Sequence, residues 1–181
     1  MIEGMMDAEL EALDETLDLE SALNSHVEIV SQAAGRQRQI TAKIQIACSV
    51  EQLWQILTSY DQLAEFIPSL TQSRQIEHPA GGIRIEQIGS EALMRIKFCA
   101  RVVLDMVEQF PNQIDFEMVE GDFKQFCGSW MLQPAPNGGT ELSYSVSVLP
   151  PRAMPVGLIE RKLKSGLVAN LTAIRQRAET L

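Results

Sequence analysis

Hydrophobic and polar residues alternate along most of this chain, and the period changes at only a few places. In residues 39–47, Ile40, Ala42, Ile44 and Ile46 face one way while Thr41, Lys43 and Gln45 face the other, which predicts a half-buried strand. The period then lengthens. Leu53, Trp54, Ile56 and Leu57 share a helical face, with Ser49 as N-cap and Gln52 as its capping-box partner. Asp61 is placed to cap a second short helix anchored by Leu63, Phe66 and Ile67 and ended by Pro68.

Alternation returns beyond that point. Residues 70–77 and 83–90 predict strands around the turn His78-Pro79-Ala80-Gly81-Gly82. Residues 94–108 give the clearest strand. Met94, Ile96, Phe98, Ala100, Val102, Leu104 and Met106 lie on one face; Arg95, Lys97, Arg101 and Asp105 lie on the other with Cys99, Val103 and Val107. Ile114, Phe116 and Met118 continue the pattern after a turn at Phe110-Pro111-Asn112. Phe126, Gly128, Trp130 and Leu132 follow, then Leu142, Tyr144, Val146 and Val148 alternating with serines. Prolines 150, 151 and 155 break the sheet, and residues 156–179 read as one long helix with Val156, Ile159, Leu163, Leu167, Asn170, Leu171 and Ile174 on a single side. The order β-α-α-β-β-β-β-β-β-α is α+β: a curved antiparallel sheet of about seven strands wrapped on the C-terminal helix, the only element long enough to cover it.

Composition adds a division of the chain. Residues 1–35 carry nine acids and no base, which accounts for the whole net charge of −9, because the remainder balances 15 acids against 15 bases. This acidic segment stands apart from a domain spanning residues 36–181. Met6, Leu10, Leu13 and Leu17 recur at helical spacing within it. Two readings stand: a solvated, disordered tail, or a helix that docks on a protein partner or on the body. The scattered Lys and Arg of the body give no nucleic-acid groove. Cys48, Cys99 and Cys127 have no framework or metal spacing, and no basic leader or membrane-length apolar run occurs. The expectation is a cytoplasmic protein.

Candidate chemistry is sparse. His26 and His78 lack ligand partners and read as solvent-exposed. Asp115 and Glu117 share the outward parity of their strand. No metal site, cofactor or catalytic constellation is expected. The inward face is apolar except for Tyr144 and Asn170. A buried phenol or amide needs a partner, so Tyr144 either reaches water at the sheet edge or donates to a ligand carbonyl, and Asn170 either bonds a strand carbonyl or points into the cavity at a ligand headgroup. Gly166 weakens the helix, and a close sheet contact or room for a ligand would each explain it. The loop around Arg152 and Met154 is either a rigid connector or a gate, where Met154 touches a membrane transiently and Arg152 meets a phosphate or acidic partner.

The run from Val50 to Tyr60 (VEQLWQILTSY), then Leu63-Ala64-Glu65-Phe66-Ile67-Pro68, resembles the opening of polyketide cyclase/dehydrase and coenzyme Q-binding START-type domains. Glu120-Gly121-Asp122-Phe123, Gly128-Ser129-Trp130 and the run from Gly139 to Tyr144 are similar to later strands of that SRPBCC, or helix-grip, superfamily, which includes START lipid-transfer domains and the birch-pollen allergen. The branch most resembled occurs in cyanobacteria and plastids. The resemblance covers residues 36–178. It implies a deep cavity between sheet and final helix for lipids, prenylquinones or polyketides, without transferring an activity.

The expected ligand-binding residues are Trp54, Phe66, Met94, Phe98, Met106, Phe116, Phe126, Tyr144, Met154, Leu163, Leu167 and Asn170. The leading function is non-catalytic carriage or chaperoning of a hydrophobic small molecule, a prenylquinone first, a lipid or related compound next. The alternatives are a polyketide-type cyclase or dehydratase, with Tyr144 as proton donor and Asn170 orienting a carbonyl, and an interaction module using the acidic N-terminal helix.

Overall fold

The structure, a computed structural model, describes residues 26–93 and 96–181, leaving aside the side chains of residues 91–98. The helical stripe Met6-Leu10-Leu13-Leu17 lies outside the described residues. Eight antiparallel strands form one sheet in the order β1-β2-β8-β7-β6-β5-β4-β3. They are β1 (Glu28–Ala34), β2 (Gln37–Ile46), β3 (Leu70–Ile76), β4 (Ile83–Leu93), β5 (Ile96–Gln109), β6 (Gln113–Gly121), β7 (Gln125–Pro134) and β8 (Thr140–Leu149). Helix α1 (Val50–Thr58) and a 3-10 helix (Tyr60–Glu65) follow β2, and α2 (Val156–Glu179) ends the chain.

The sheet therefore has eight strands rather than about seven, and folded structure begins upstream of the boundary drawn at residue 36. Residues 28–34 pair in full register with β2, from Glu28 opposite Lys43 to Ala34 opposite Gln37. The weak alternation of an edge strand hides this element. Val30 faces out and is 61% exposed.

Alternation elsewhere produces two faces of opposite character. Ile40, Ile44, Ile46, Leu142, Val146 and Val148 point inward and are almost wholly buried. The outer face carries ion pairs. Arg101 reaches Glu86 and Glu120 at 2.6 Å each, and Arg74 meets Glu86 at 2.6 Å. Val103, expected on the solvated side, is 3% exposed although it does face outward. It sits between Glu86 and Glu120 on the flanking strands, the two carboxylates that Arg101 bridges.

His78 is likewise less exposed than expected. Its side chain is 17% exposed and its Nε2 lies 3.4 Å from Asp105, which also pairs with Arg84. Nδ1 of His78 accepts the backbone N–H of Ala80, a local bond that folds the ring over the turn.

The caps are mostly local. Ser49 accepts the N–H of Gln52 at 3.2 Å, as a Ser N-cap does. The Gln52 amide does not close the box; it donates to the Ala178 carbonyl at the end of α2. Asp61 is not the cap of the 3-10 helix, which begins after Ser59. Its carboxylate instead accepts the Gln75 N–H at 2.7 Å, fastening this turn to β3.

Helix α2 runs along β2 in the same direction and is pinned at both ends. Near its start, Glu160 accepts from Ser31 and Arg38, both at 2.6 Å, and pairs with Lys164 at 3.2 Å. Near its finish, Glu179 accepts the Ala47 N–H at 3.0 Å. Ile159, Leu167, Leu171 and Ile174 face the sheet and are buried.

The start of α2 should report on pH. Hydrogen bonds from Ser31 first, then Arg38 and Lys164, hold the Glu160 carboxyl down at about 2. Above the ordinary carboxylate value of 4.5 it is charged in both the folded and unfolded chain, and its stabilisation is complete. As pH falls from there toward 2, the unfolded chain takes up a proton that the folded one does not, and stability is lost. Glu160→Gln is expected to flatten that part of the stability–pH curve, measured by urea unfolding at stepped pH. A variant curve parallel to wild type would contradict the anchoring role.

Gly128 is a second point of dependence. A Cβ there would lie 1.9 Å from the Ser145 carbonyl oxygen and 2.7 Å from the Phe116 ring. Neither a paired strand backbone nor a packed ring can withdraw far. Gly128→Ala is expected to cost about 2 kcal/mol or more in chemical unfolding, the upper range of overpacking effects.

Candidate functional site

One helix cannot fill the concave face of eight strands. The space left between α2 and the β3–β7 half of the sheet is a cavity of about 210 Å³. The sheet supplies its floor: Val102, Leu104 and Met106 of β5, Ile114 and Phe116 of β6, Phe126 and Trp130 of β7, and Tyr144 and Val146 of β8. Leu57, Tyr60, Leu63 and Ile67 close one side. Ile159, Leu163, Gly166 and Leu167 of α2 form the roof. The partly exposed Ser69, Gln87, Gly89, Ser90, Lys162 and Asn170 mark the side that faces solvent.

Aromatic rings pave the floor. Phe116 stacks on Tyr144 with centroids 5.7 Å apart and planes 14° from parallel. Trp130, its cross-strand partner on β7, lies 4.3 Å from Tyr144. Phe126 joins Phe116 at 5.7 Å and Phe123 at 5.5 Å. Gly128 makes this paving feasible. It pairs with Phe116, and its missing side chain leaves the ring room to lie against the sheet.

Polar groups on the walls differ in how they are satisfied. The Tyr60 hydroxyl donates to Glu108 at 2.7 Å. Burial first, then this bond to a carboxylate, pushes the phenol well above its ordinary range. Asn170 is tied to the residue before β3 rather than to a strand carbonyl: its amide donates to Ser69 Oγ at 2.7 Å and accepts the Ser69 N–H at 3.3 Å. Tyr144 is 9% exposed, and its hydroxyl makes no hydrogen bond among the described residues. Burial pushes this phenol up as well, so it is protonated throughout the physiological range. Cavity walls of this kind can shelter an apolar molecule and offer it the Tyr144 hydroxyl as a donor.

Of the residues expected to bind a ligand, Met106, Phe116, Phe126, Tyr144, Leu163, Leu167 and Asn170 line the cavity. Three do not. Trp54 is buried but meets Phe110 edge-on at 5.4 Å, away from the cavity. Phe66 packs under the Arg177 guanidinium, 5.5 Å from its ring centre. Met154 sits in the connector, where Arg36 donates to both the Pro151 and Met154 carbonyls, so this loop is clamped to the β1–β2 turn. Met94 and the side chain of Phe98 lie outside what the structure describes. Trp130, Val102 and Leu104 share strand parity with chosen residues and were legible on that ground. Gly166 was marked in sequence as a glycine inside a helix, for which room for a ligand was one of two explanations; Tyr60 carried no comparable signal. Among the described residues no group of His, Cys, Asp or Glu could hold a metal ion, and no helix is long and apolar enough to cross a membrane.

A curved antiparallel sheet closed by a long C-terminal helix over an apolar cavity is the helix-grip fold of START-like proteins. The family model for polyketide cyclase/dehydrase and lipid transport matches residues 46–172, well over half of the chain, and the chain belongs to that family. No curated protein matches the sequence.

Solved structures share the fold. A STAR-related lipid transfer protein from Xanthomonas axonopodis superposes with a TM-score of 0.68 at 11% identity, covering 84% of this chain and 93% of its own. A START superfamily protein from Mycobacterium smegmatis gives 0.66 at 15% identity, with 78% and 97% covered. The Zhui aromatase/cyclase from a Streptomyces species gives 0.65 at 14%, with 79% and 94% covered. At these identities the likeness is one of fold.

The two cavity tyrosines should behave oppositely when their hydroxyls are removed. Tyr60→Phe breaks a bond to a carboxylate and is expected to cost about 1 kcal/mol; Tyr144→Phe breaks none and should leave stability unchanged or slightly raised. Thermal unfolding of both variants checks this, and an equal loss in the two would contradict the assignment.

Proposed function

We propose that this protein binds and carries, or chaperones, a hydrophobic small molecule in the cavity between sheet and α2. A prenylquinone is the first choice, and a lipid or related compound the next. The carrying observation is the lining itself: apolar and aromatic side chains on the floor and roof, with polar groups gathered toward the exposed side. Transfer of ~200 Å² of apolar ligand surface from water into such a site contributes ~5 kcal/mol before the cost of association is subtracted.

The cyclase reading has a structural relative in its favour but less chemistry. Acid–base catalysis needs groups poised near neutral pH. The ionisable side chains on the described walls are Tyr60, Tyr144 and Lys162, and both phenols titrate well above their usual range. Carriage therefore takes precedence over turnover.

Native mass spectrometry of gently purified protein, followed by solvent extraction, tests the reading. Wild type is expected to release a near-stoichiometric isoprenoid or lipid. Ala100→Trp, which fills the cavity where Ala100 faces Gly89, is expected to release at least tenfold less while remaining folded. A wild-type protein that is empty and takes up neither presented quinones nor lipids would overturn it.

A further inference from the structure

We infer that the Tyr144 hydroxyl is the ligand's hydrogen-bond donor, and that the molecule it selects is a flat conjugated ring bearing a carbonyl oxygen, a quinone or aromatic ketone, laid on the floor of the cavity with any apolar tail leaving past α2. The inference rests on the binding function proposed above and adds what the site recognises.

Three observations carry it. First, the Tyr144 side chain is nine-tenths buried and its hydroxyl is hydrogen-bonded to no described group, yet the oxygen is not sealed in protein: it borders the open space of the cavity that Tyr144 lines, where an entering molecule meets it. Tyr60, on the side wall of the same cavity, shows the ordinary solution, with Glu108 accepting from its hydroxyl. Asn170 is held by Ser69, donating one bond and accepting one. Of these three polar groups Tyr144 is the one with no hydrogen bond to a described group, which leaves its hydroxyl for something that enters the cavity.

Second, Tyr144 sits inside the aromatic paving, with Phe116 nearly parallel at 5.7 Å and Trp130 at 4.3 Å. Rings favour offset stacking and edge contacts with other rings, so the surface beside this donor suits a planar conjugated ligand better than a flexible acyl chain. A phenol held protonated offers a proton, which a carbonyl oxygen accepts; an apolar ring without oxygen has nothing to accept it.

Third, the volume limits what can enter. About 210 Å³ is below the ~300–1,000 Å³ of pockets that enclose drug-sized ligands. A ring system and its first few substituent carbons fit. A long tail does not, and the partly exposed side between Ser69, Ser90 and Asn170 is its way out. The ring end is therefore innermost.

The test titrates full-length wild type and Tyr144→Phe with three probes by calorimetry: menadione, 2-methylnaphthalene as its carbonyl-free twin, and menadione's ring carrying a four-unit prenyl tail. Menadione is expected to bind the variant about 5- to 10-fold more weakly than wild type, the scale of one hydrogen bond in a site that excludes water. The naphthalene should bind both proteins equally. The tailed ring should bind wild type at least as well as menadione; a loss beyond tenfold would overturn the tail's exit and point to a tail-free aromatic ketone.

Equal menadione affinity in the two proteins would overturn the role of Tyr144 while leaving carriage intact, since both probes would still bind. Failure of all three probes to bind wild type would overturn both readings. The carbonyl stretch of menadione bound to wild type gives a check independent of any variant. It is expected at lower wavenumber than in alkane solvent, and an unshifted band would contradict the bond.

Discussion

The architecture follows from one mismatch of widths. Eight strands spaced ~4.8 Å apart make a sheet nearly 40 Å across, whereas a helix with its side chains is ~10–12 Å wide. A single helix must therefore seal an apolar face several times its own width, and the sheet can meet it only by curling. Curling brings β2 against α2 but leaves the β3–β7 half standing away from it. α1 and the 3-10 helix fill one side of that gap. What remains is the cavity. It is a consequence of having one helix where a flat sheet would need several, and the pins at Glu160 and Glu179 fix that helix on the β2 side.

Charge is partitioned by the same sheet. Its outer face is laced by arginine–carboxylate pairs, and Val103 is buried beside them. Such pairs, half-exposed to water, add little individually to stability, but they keep polar partners matched to polar partners on one side of the strands. The inner face is thereby left free for apolar residues, and the few polar atoms there stand out. Tyr60 and Asn170 are satisfied within the protein; Tyr144 is not. That contrast makes one residue of β8 more informative than the many carbon atoms around it.

Much of this was written in the sequence as period. Strands β2 and β8 were legible because each buries one face almost completely, and β3 to β7 and both α-helices because their apolar residues still keep to one side. β1 was not, because an edge strand with an exposed Val30 and a single buried neighbour obeys a looser rule. Parity also told inward from outward side chains, but it could not tell core from cavity. Trp54, Phe66 and Met154 looked as suitable as Phe126, and only the position of each relative to α2 separates them. Trp54 finds Phe110 across a turn, and Phe66 finds Arg177 at the far end of the helix; neither partner is predictable from local pattern. The burial of Val103 was hidden for a related reason. Outward parity says which way a residue points, and says nothing of the bridged side chains of Glu86 and Glu120 that flank it. Tyr144, by contrast, was conspicuous in sequence as a lone hydroxyl among inward apolar positions, and Gly128 as a gap in a row of large ones.

The central claim is that the gap under α2 is a seat for a hydrophobic molecule rather than a packing remnant. A crystal structure of the protein purified without detergent or organic solvent tests it most directly. The account predicts continuous non-protein density over Phe116, Tyr144 and Trp130, with an oxygen within hydrogen-bond distance of the Tyr144 hydroxyl and the opposite end directed toward Ser69 and Asn170. A cavity closed by inward movement of those rings, with no density and the Tyr144 hydroxyl bonded to a protein group, would contradict it.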